Sequence, residues 1–233
     1  MWLLLGPQWL KTMTMKKIKK YNVNGIIVSM DSSIHEAIYY GFERELASSM
    51  NYIFVDDDQQ NTYSIENAAL VLKIGAEIES VAKAICKKNK KHKDNHHFDT
   101  NCIESNKHKI DAIAIVKGNF HFNNAENTIF WPFTKDEKKY DNKKMTYGWN
   151  NAYQAIKHGG LENIKTFGTI KYIIRALGAL YALNFELSNK IVHSSFFAYV
   201  SGDKLIGQTG GLVWDRLIDL TPEQKKIIQE HNS

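Results

Sequence analysis

Tyr147, Asn151, Gln154 and His158 recur at intervals of 4, 3 and 4 residues, a spacing that lines one face of an α-helix. Trp149, Ala152, Tyr153 and Ile156 take the opposite face. One side of this helix therefore carries hydrogen-bonding groups and ends in an imidazole, the side chain whose proton moves near neutral pH. Lys157 adds a cation beside it. Such a stripe suits acid–base work. A Lys-His pair before Gly159-Gly160 also fits an ordinary helix end, because cations suit the negative end of the helix dipole. The spacing leaves both readings open.

A second group of reactive types lies upstream. Cys86, His92, His96, Cys102 and His108 include an H-x3-H pair and two thiols, all zinc-ligand types. The gap between the cysteines is long, no C-x2-C occurs, and Asn and Lys fill the spaces. The segment 87–109 thus reads as a Lys/Asn/His-rich disordered insert, and no metal or cofactor is expected. It holds seven lysines against three acids, so most of the formal charge of +5 sits there. A basic face over the whole fold does not follow. There is no G-x-G-x-x-G after a strand, no Walker A and no G-x-S-x-G.

The elements that must position these residues are mainly helical. Val71, Ile74, Ile78, Val81 and Ile85 are spaced 3, 4, 3 and 4, and Ser64 supplies an N-cap. Lys73 with Glu77, and Glu79 with Lys83, stand at i,i+4 with opposite charge. An earlier helix is predicted from Asp31, Ser32 or Ser33, with Ile34, Ile38, Phe42 and Leu46 as its apolar stripe and Glu36 closing a capping box on Ser33. A later one carries Ile170, Ile173, Ile174, Leu177, Leu180 and Tyr181 on one side up to Leu187. Between them, IAIV, FHF and TIFWPF are β-prone, with NNAEN as the hairpin loop between the last two and Trp131-Pro132 as a strand stop. FFAYV and KLIG flank a turn at SGD, and Pro222 opens a terminal helix.

The string WNNAYQAIKH (149–158), the later IIRALGALYAL (173–183), the upstream IGAEIESVAKA (74–84) and Pro132-Phe133 together resemble the HEPN superfamily. They are most similar to its bacterial abortive-infection, anti-phage members. The resemblance covers about residues 31–188 and implies an antiparallel helical bundle. It also implies a metal-independent endoribonuclease acting as a toxin or in phage defence, often as a homodimer with facing motif helices. His158 matches the family's catalytic His, acting as acid or base on the ribose 2′-OH or leaving oxygen. Asn151 matches its polar residue, and Lys157 is the nearest cation. The family's arginine has no counterpart, since none lies between Arg44 and Arg175. Tyr147, Gln154 and Lys83 complete the expected substrate contacts. From helix adjacency, Glu77, with Glu79 and Lys83 beside it, is placed to face His158 and orient the imidazole. The alternative is a non-catalytic helical module that binds a partner protein or nucleic acid.

The 233 residues are 43% hydrophobic and 12% aromatic, enough for a sizeable core. Three prolines argue against a turn-rich sandwich. No apolar run approaches the ~20 residues that a spanning helix needs, so no membrane partner is expected. Two cysteines cannot form a disulfide framework, which points to a cytoplasmic setting. Residues 1–20 read as an N-terminal extension with an upstream start, because Met15 opens the common-looking MKKIKK. The fold expected is mainly α. A HEPN-like helical domain spans 21–193, carrying the basic insert 87–109 and a small β-hairpin insert at 111–135, with a C-terminal extension at 194–233.

Overall fold

The structure is a computed structural model and describes residues 21–23, 26–28, 34–90, 98–104, 112–116, 120–209 and 212–233. Tyr21–Val23 (β1) and Ile26–Val28 (β2) pair as an antiparallel hairpin. Four long helices follow along the chain: α1 (Ile34–Ser49), α2 (Ile65–Lys88), α3 (Gly148–Gly159) and, after the short α4 (Ile164–Phe167), α5 (Ile170–Ser188). Helix α5 packs against α1, α2 and α3 and is buried on nearly every side, well beyond the one stripe read from its sequence. An all-round apolar helix belongs at the centre of a core.

Helix α2 forms where its pattern requires. Ser64 accepts the Asn67 amide at 3.0 Å, and Val71, Ile74, Ile78, Val81 and Ile85 are all buried. Gly75 admits the ring of Tyr153, because a Cβ there would lie 2.3 Å from it. That close approach brings α2 and α3 together.

Helix α1 corrects its expected stripe. Its buried residues are Glu36, Tyr39, Glu43 and Leu46, while Ile34 is 71% exposed. A run of i,i+4 steps advances 400° at a time, so its residues drift around the helix, whereas 3,4,3 spacing stays on one face. Two carboxylates therefore point inward. Glu43 is compensated by Tyr39 Oη and Ser194 Oγ, each donating to it at 2.5 Å, and by the Ser195 amide at 3.2 Å. Burial still pushes the Glu43 carboxyl above its ordinary range. Ser33 of the expected capping box lies outside the described residues.

The β elements join across the chain. Ala112–Ile115 (β3) pairs antiparallel with Ile129–Phe130 (β4), and Glu137–Lys138 (β5) pairs with Met145–Thr146 (β6). Phe197–Ser201 (β7), Lys204–Thr209 (β8) and Leu212–Asp219 (β9) extend the first pair into a five-stranded antiparallel sheet ordered β4-β3-β7-β8-β9. The hairpin insert and the C-terminal segment thus share one sheet, with Ala114 opposite Ala198. FHF was expected to pair with TIFWPF. Its His121 instead bridges Asp56, and β3 takes the place beside β4. The β7–β8 turn falls at SGD with Gly202 at φ 64°, and α6 (Pro222–Asn232) starts on a Thr221/Gln224 capping box. The protein is mainly α with a small antiparallel sheet. Among the described residues no helix is long and apolar enough to cross a membrane.

Candidate functional site

Helix α3 carries the candidate site, and its first turn sets the geometry. Tyr147 is the N-cap, at φ −67° and ψ 134°, so its side chain leaves the helical register. Its ring stacks on Trp149 at 5.4 Å and is 3% exposed. Trp149 Nε1 donates to the Pro132 carbonyl at 2.8 Å, anchoring the helix start on the turn after β4. Tyr147 was expected on the polar stripe. It belongs to the core, and burial beside Glu104 and Asp99 holds its hydroxyl pKa far above the ordinary range.

Asn151 is the second correction. It is 4% exposed. Its Oδ1 accepts from the Tyr140 amide at 3.0 Å, and its Nδ2 donates to the Lys138 carbonyl at 3.0 Å and toward Glu137 at 3.4 Å. Its hydrogen-bonding groups thus pin the β5–β6 hairpin to α3. Glu137 is held from the other side by Tyr172 Oη and Arg175 Nη1, both at 3.0 Å. Gly148 makes that approach possible, since a Cβ there would lie 2.5 Å from Arg175 Nη1.

The pinned hairpin forms one wall of a cleft of about 300 Å³. Lys139, Tyr140, Asp141 and Thr146 come from the hairpin; Asn150, Asn151, Gln154 and His158 come from α3; Phe98 and Asp99 come from a short helical segment, 98–104, which is ordered and partly buried although it lies in the insert expected to be disordered. His158 is exposed, and its Nε2 lies 3.1 Å from Gln154 Oε1. Asn150 is 2% exposed, with Nδ2 donating toward Asp99 Oδ2 at 3.4 Å. Its Oδ1 is buried and has no hydrogen-bond partner, a cost of roughly 1–3 kcal/mol.

The remaining expected site residues are not at this cleft. Lys157 Nζ sits 5.0 Å above the Tyr153 ring and donates to its hydroxyl at 3.2 Å, a bond that raises the lysine pKa. Tyr153 Oη donates toward Glu79 at 3.4 Å, and Glu79 pairs with Lys83 at 2.5 Å. These groups form a polar seam between α2 and α3, one helical step around from His158. Glu77 does not orient His158: its carboxylate takes His35 Nδ1 of α1 at 2.6 Å. Lys73, the expected i,i+4 partner of Glu77, reaches Glu45 at 2.7 Å. Helices α2 and α3 do pack together, but Glu79, the carboxylate of α2 at that seam, meets Tyr153 and not His158.

Asp99, Lys139, Tyr140, Asp141 and Asn150 were not anticipated. Asn150 was legible, since Asn150, Gln154 and His158 stand at i, i+4 and i+8; the other four come from segments that only folding brings near. Among the described residues no group of three or more His, Cys, Asp or Glu could hold a metal. Cys86 Sγ lies 3.4 Å from the Asn101 carbonyl oxygen, next to Cys102, whose thiol burial pushes up to about 12. His92, His96 and His108 lie outside the described residues.

The chain matches no family model, no curated protein and no solved structure at a significant level. The HEPN resemblance therefore rests on its motif residues alone.

Proposed function

We propose that the protein binds single-stranded RNA at the α3 cleft and cleaves it without a metal ion, His158 exchanging a proton with the substrate. What carries this reading is the grouping of an exposed imidazole with the cation Lys139 and the carboxylate of Asp141 around one cleft of nucleotide size. Cleavage by an internal nucleophile needs a base, an acid and a countercharge. Asp141 takes the proton of the ribose 2′-OH, the 2′-oxygen attacks phosphorus, and His158 gives a proton to the departing 5′-oxygen. Lys139 meets the charge on the phosphorane. The products are a 2′,3′-cyclic phosphate and a 5′-hydroxyl. Asn151 contributes by holding the hairpin, and Lys157 by the Tyr153 contact rather than at phosphorus.

The HEPN resemblance extends this reading to a toxin or anti-phage role and to a homodimer. Lys157 and His158 are exposed at the end of α3, and Leu161 beside them is 80% exposed, which leaves that end open to a second copy. The second reading, a binding module without catalysis, draws on the engagement of Lys157 with Tyr153 and of Glu77 with His35. The test is incubation of the purified protein, in EDTA, with total tRNA and a labelled single-stranded RNA, beside His158→Ala. Cleavage that disappears in the variant is expected. Equal cleavage by both proteins, or none by either, refutes the nuclease; the second result with retained RNA binding establishes the module.

A further inference from the structure

Asp99 and Asn150 bring hydrogen-bond acceptors to the lining of the α3 cleft. Asp99 presents a carboxylate, whose Oδ1 accepts the Thr100 amide at 2.9 Å and whose Oδ2 accepts the long Asn150 contact at 3.4 Å. Each oxygen keeps accepting capacity beyond those bonds. Beside it lies the buried, unpartnered Oδ1 of Asn150. The single contact of the Asn150 amide, at 3.4 Å, is beyond the ordinary N–H···O length and holds that side chain weakly; to accept a ligand N–H the carboxamide must turn its buried oxygen toward the cleft. Two neighbouring acceptors at the back of a cleft ask for a ligand edge with two neighbouring donors. Tyr140, 40% exposed at the cleft wall, gives an aromatic surface for a planar ligand. Lys139 supplies positive charge for a phosphate.

We infer that the cleft takes a guanine base, Asp99 and Asn150 accepting from its N1–H and exocyclic N2–H2, with its 3′-phosphate toward Lys139 and His158. Of the four RNA bases, only guanine offers adjacent donors on its pairing edge. Adenine turns its N1 acceptor there, cytosine its N3 acceptor, and uracil places a single N–H between two carbonyls, so each sets an acceptor against the carboxylate. A bidentate contact of this kind discriminates by about tenfold or more. The inference rests on the RNA reading and names which nucleotide precedes the cut.

The experiment measures binding of guanosine, adenosine and uridine 3′-monophosphates by calorimetry or by NMR titration, so it needs no cleavage. The guanosine nucleotide is expected to bind at least tenfold more tightly than the other two. Asp99→Asn should bring it to their level while their affinities stay unchanged, with circular dichroism confirming the fold. Asn150→Ala, a second variant, should lower guanosine affinity selectively. Equal affinity for all three, no binding at millimolar concentration, or retained preference in a folded Asp99→Asn protein overturns the inference. RNA cleavage with no preference for the residue before the cut sinks the guanine inference and leaves the nuclease standing. Guanosine-selective binding without cleavage does the reverse.

Discussion

Replacing Asn151 by Ala separates a substrate contact from a structural pin. The carboxamide joins the Tyr140 amide and the Lys138 carbonyl at 3.0 Å each, with a weaker reach to Glu137 at 3.4 Å. Truncation leaves two backbone groups without partners, at about 1–3 kcal/mol each when buried. Tyr140 is 40% exposed, so water relieves part of that, and the lower end, about 2 kcal/mol in total, is the better figure. That corresponds to roughly a 30-fold shift in the equilibrium between docked and undocked hairpin. Native-state hydrogen exchange reads it directly. The Tyr140 amide should exchange about 30-fold faster, whereas amides in the interior of α5, buried on nearly all sides, should not change. RNA affinity should fall through loss of the cleft wall. If the Tyr140 amide accelerates less than about threefold while RNA binding or cleavage collapses, the pin is refuted and Asn151 acts on the substrate, as the HEPN resemblance implied.

Gly148→Ala would set a Cβ 2.5 Å from Arg175 Nη1 and 3.1 Å from the Glu137 carboxyl; a loss of about 1–3 kcal/mol is expected in urea denaturation. An unchanged midpoint would mean that the arginine yields freely. Glu77→Ala should perturb the ring NMR signals of His35, its partner at 2.6 Å, and leave those of His158 alone; a change at His158 would restore the pairing that the structure replaces. Burial holds the Glu43 carboxyl above the 4.5 of an ordinary glutamate, so the folded state binds that proton more tightly than the unfolded chain. Its contribution to stability is present below pH 4.5 and is lost as pH rises through the folded value. Comparison of wild type with Glu43→Gln in urea at stepped pH should show that fall only in the wild type.

The parts of the fold legible in the sequence are those governed by neighbours along the chain. Ser64, the 3,4,3,4 spacing of α2, the Pro222 start of α6 and the Gly202 turn each act within a few residues. Helix α1 misled because two glutamates occupy its buried face, and Ser194, the partner of Glu43, lies 151 residues away. No local pattern announces a carboxylate whose burial is offset from so far off. The β3 strand was visible, yet its pairing with β7 depends on closing a long loop, which composition does not encode. The same holds for the site: the stripe ending in His158 was read from spacing, but which of its members face a cleft was not.

By itself, the sequence determined the helical character of the protein, the α3 stripe with its terminal imidazole, and the ends of several elements, because capping and periodicity are short-range effects. Only the tertiary structure decided the roles. It turned Tyr147 into core, Asn151 into a pin, and Lys157 toward Tyr153, and it gave Glu77 to His35. It also brought Asp99 and the 139–141 segment around Asn150, Gln154 and His158. Side chains one helical step apart meet different neighbours, and those neighbours come from distant parts of the chain. A site is the meeting of several such segments, and packing in three dimensions sets where they meet.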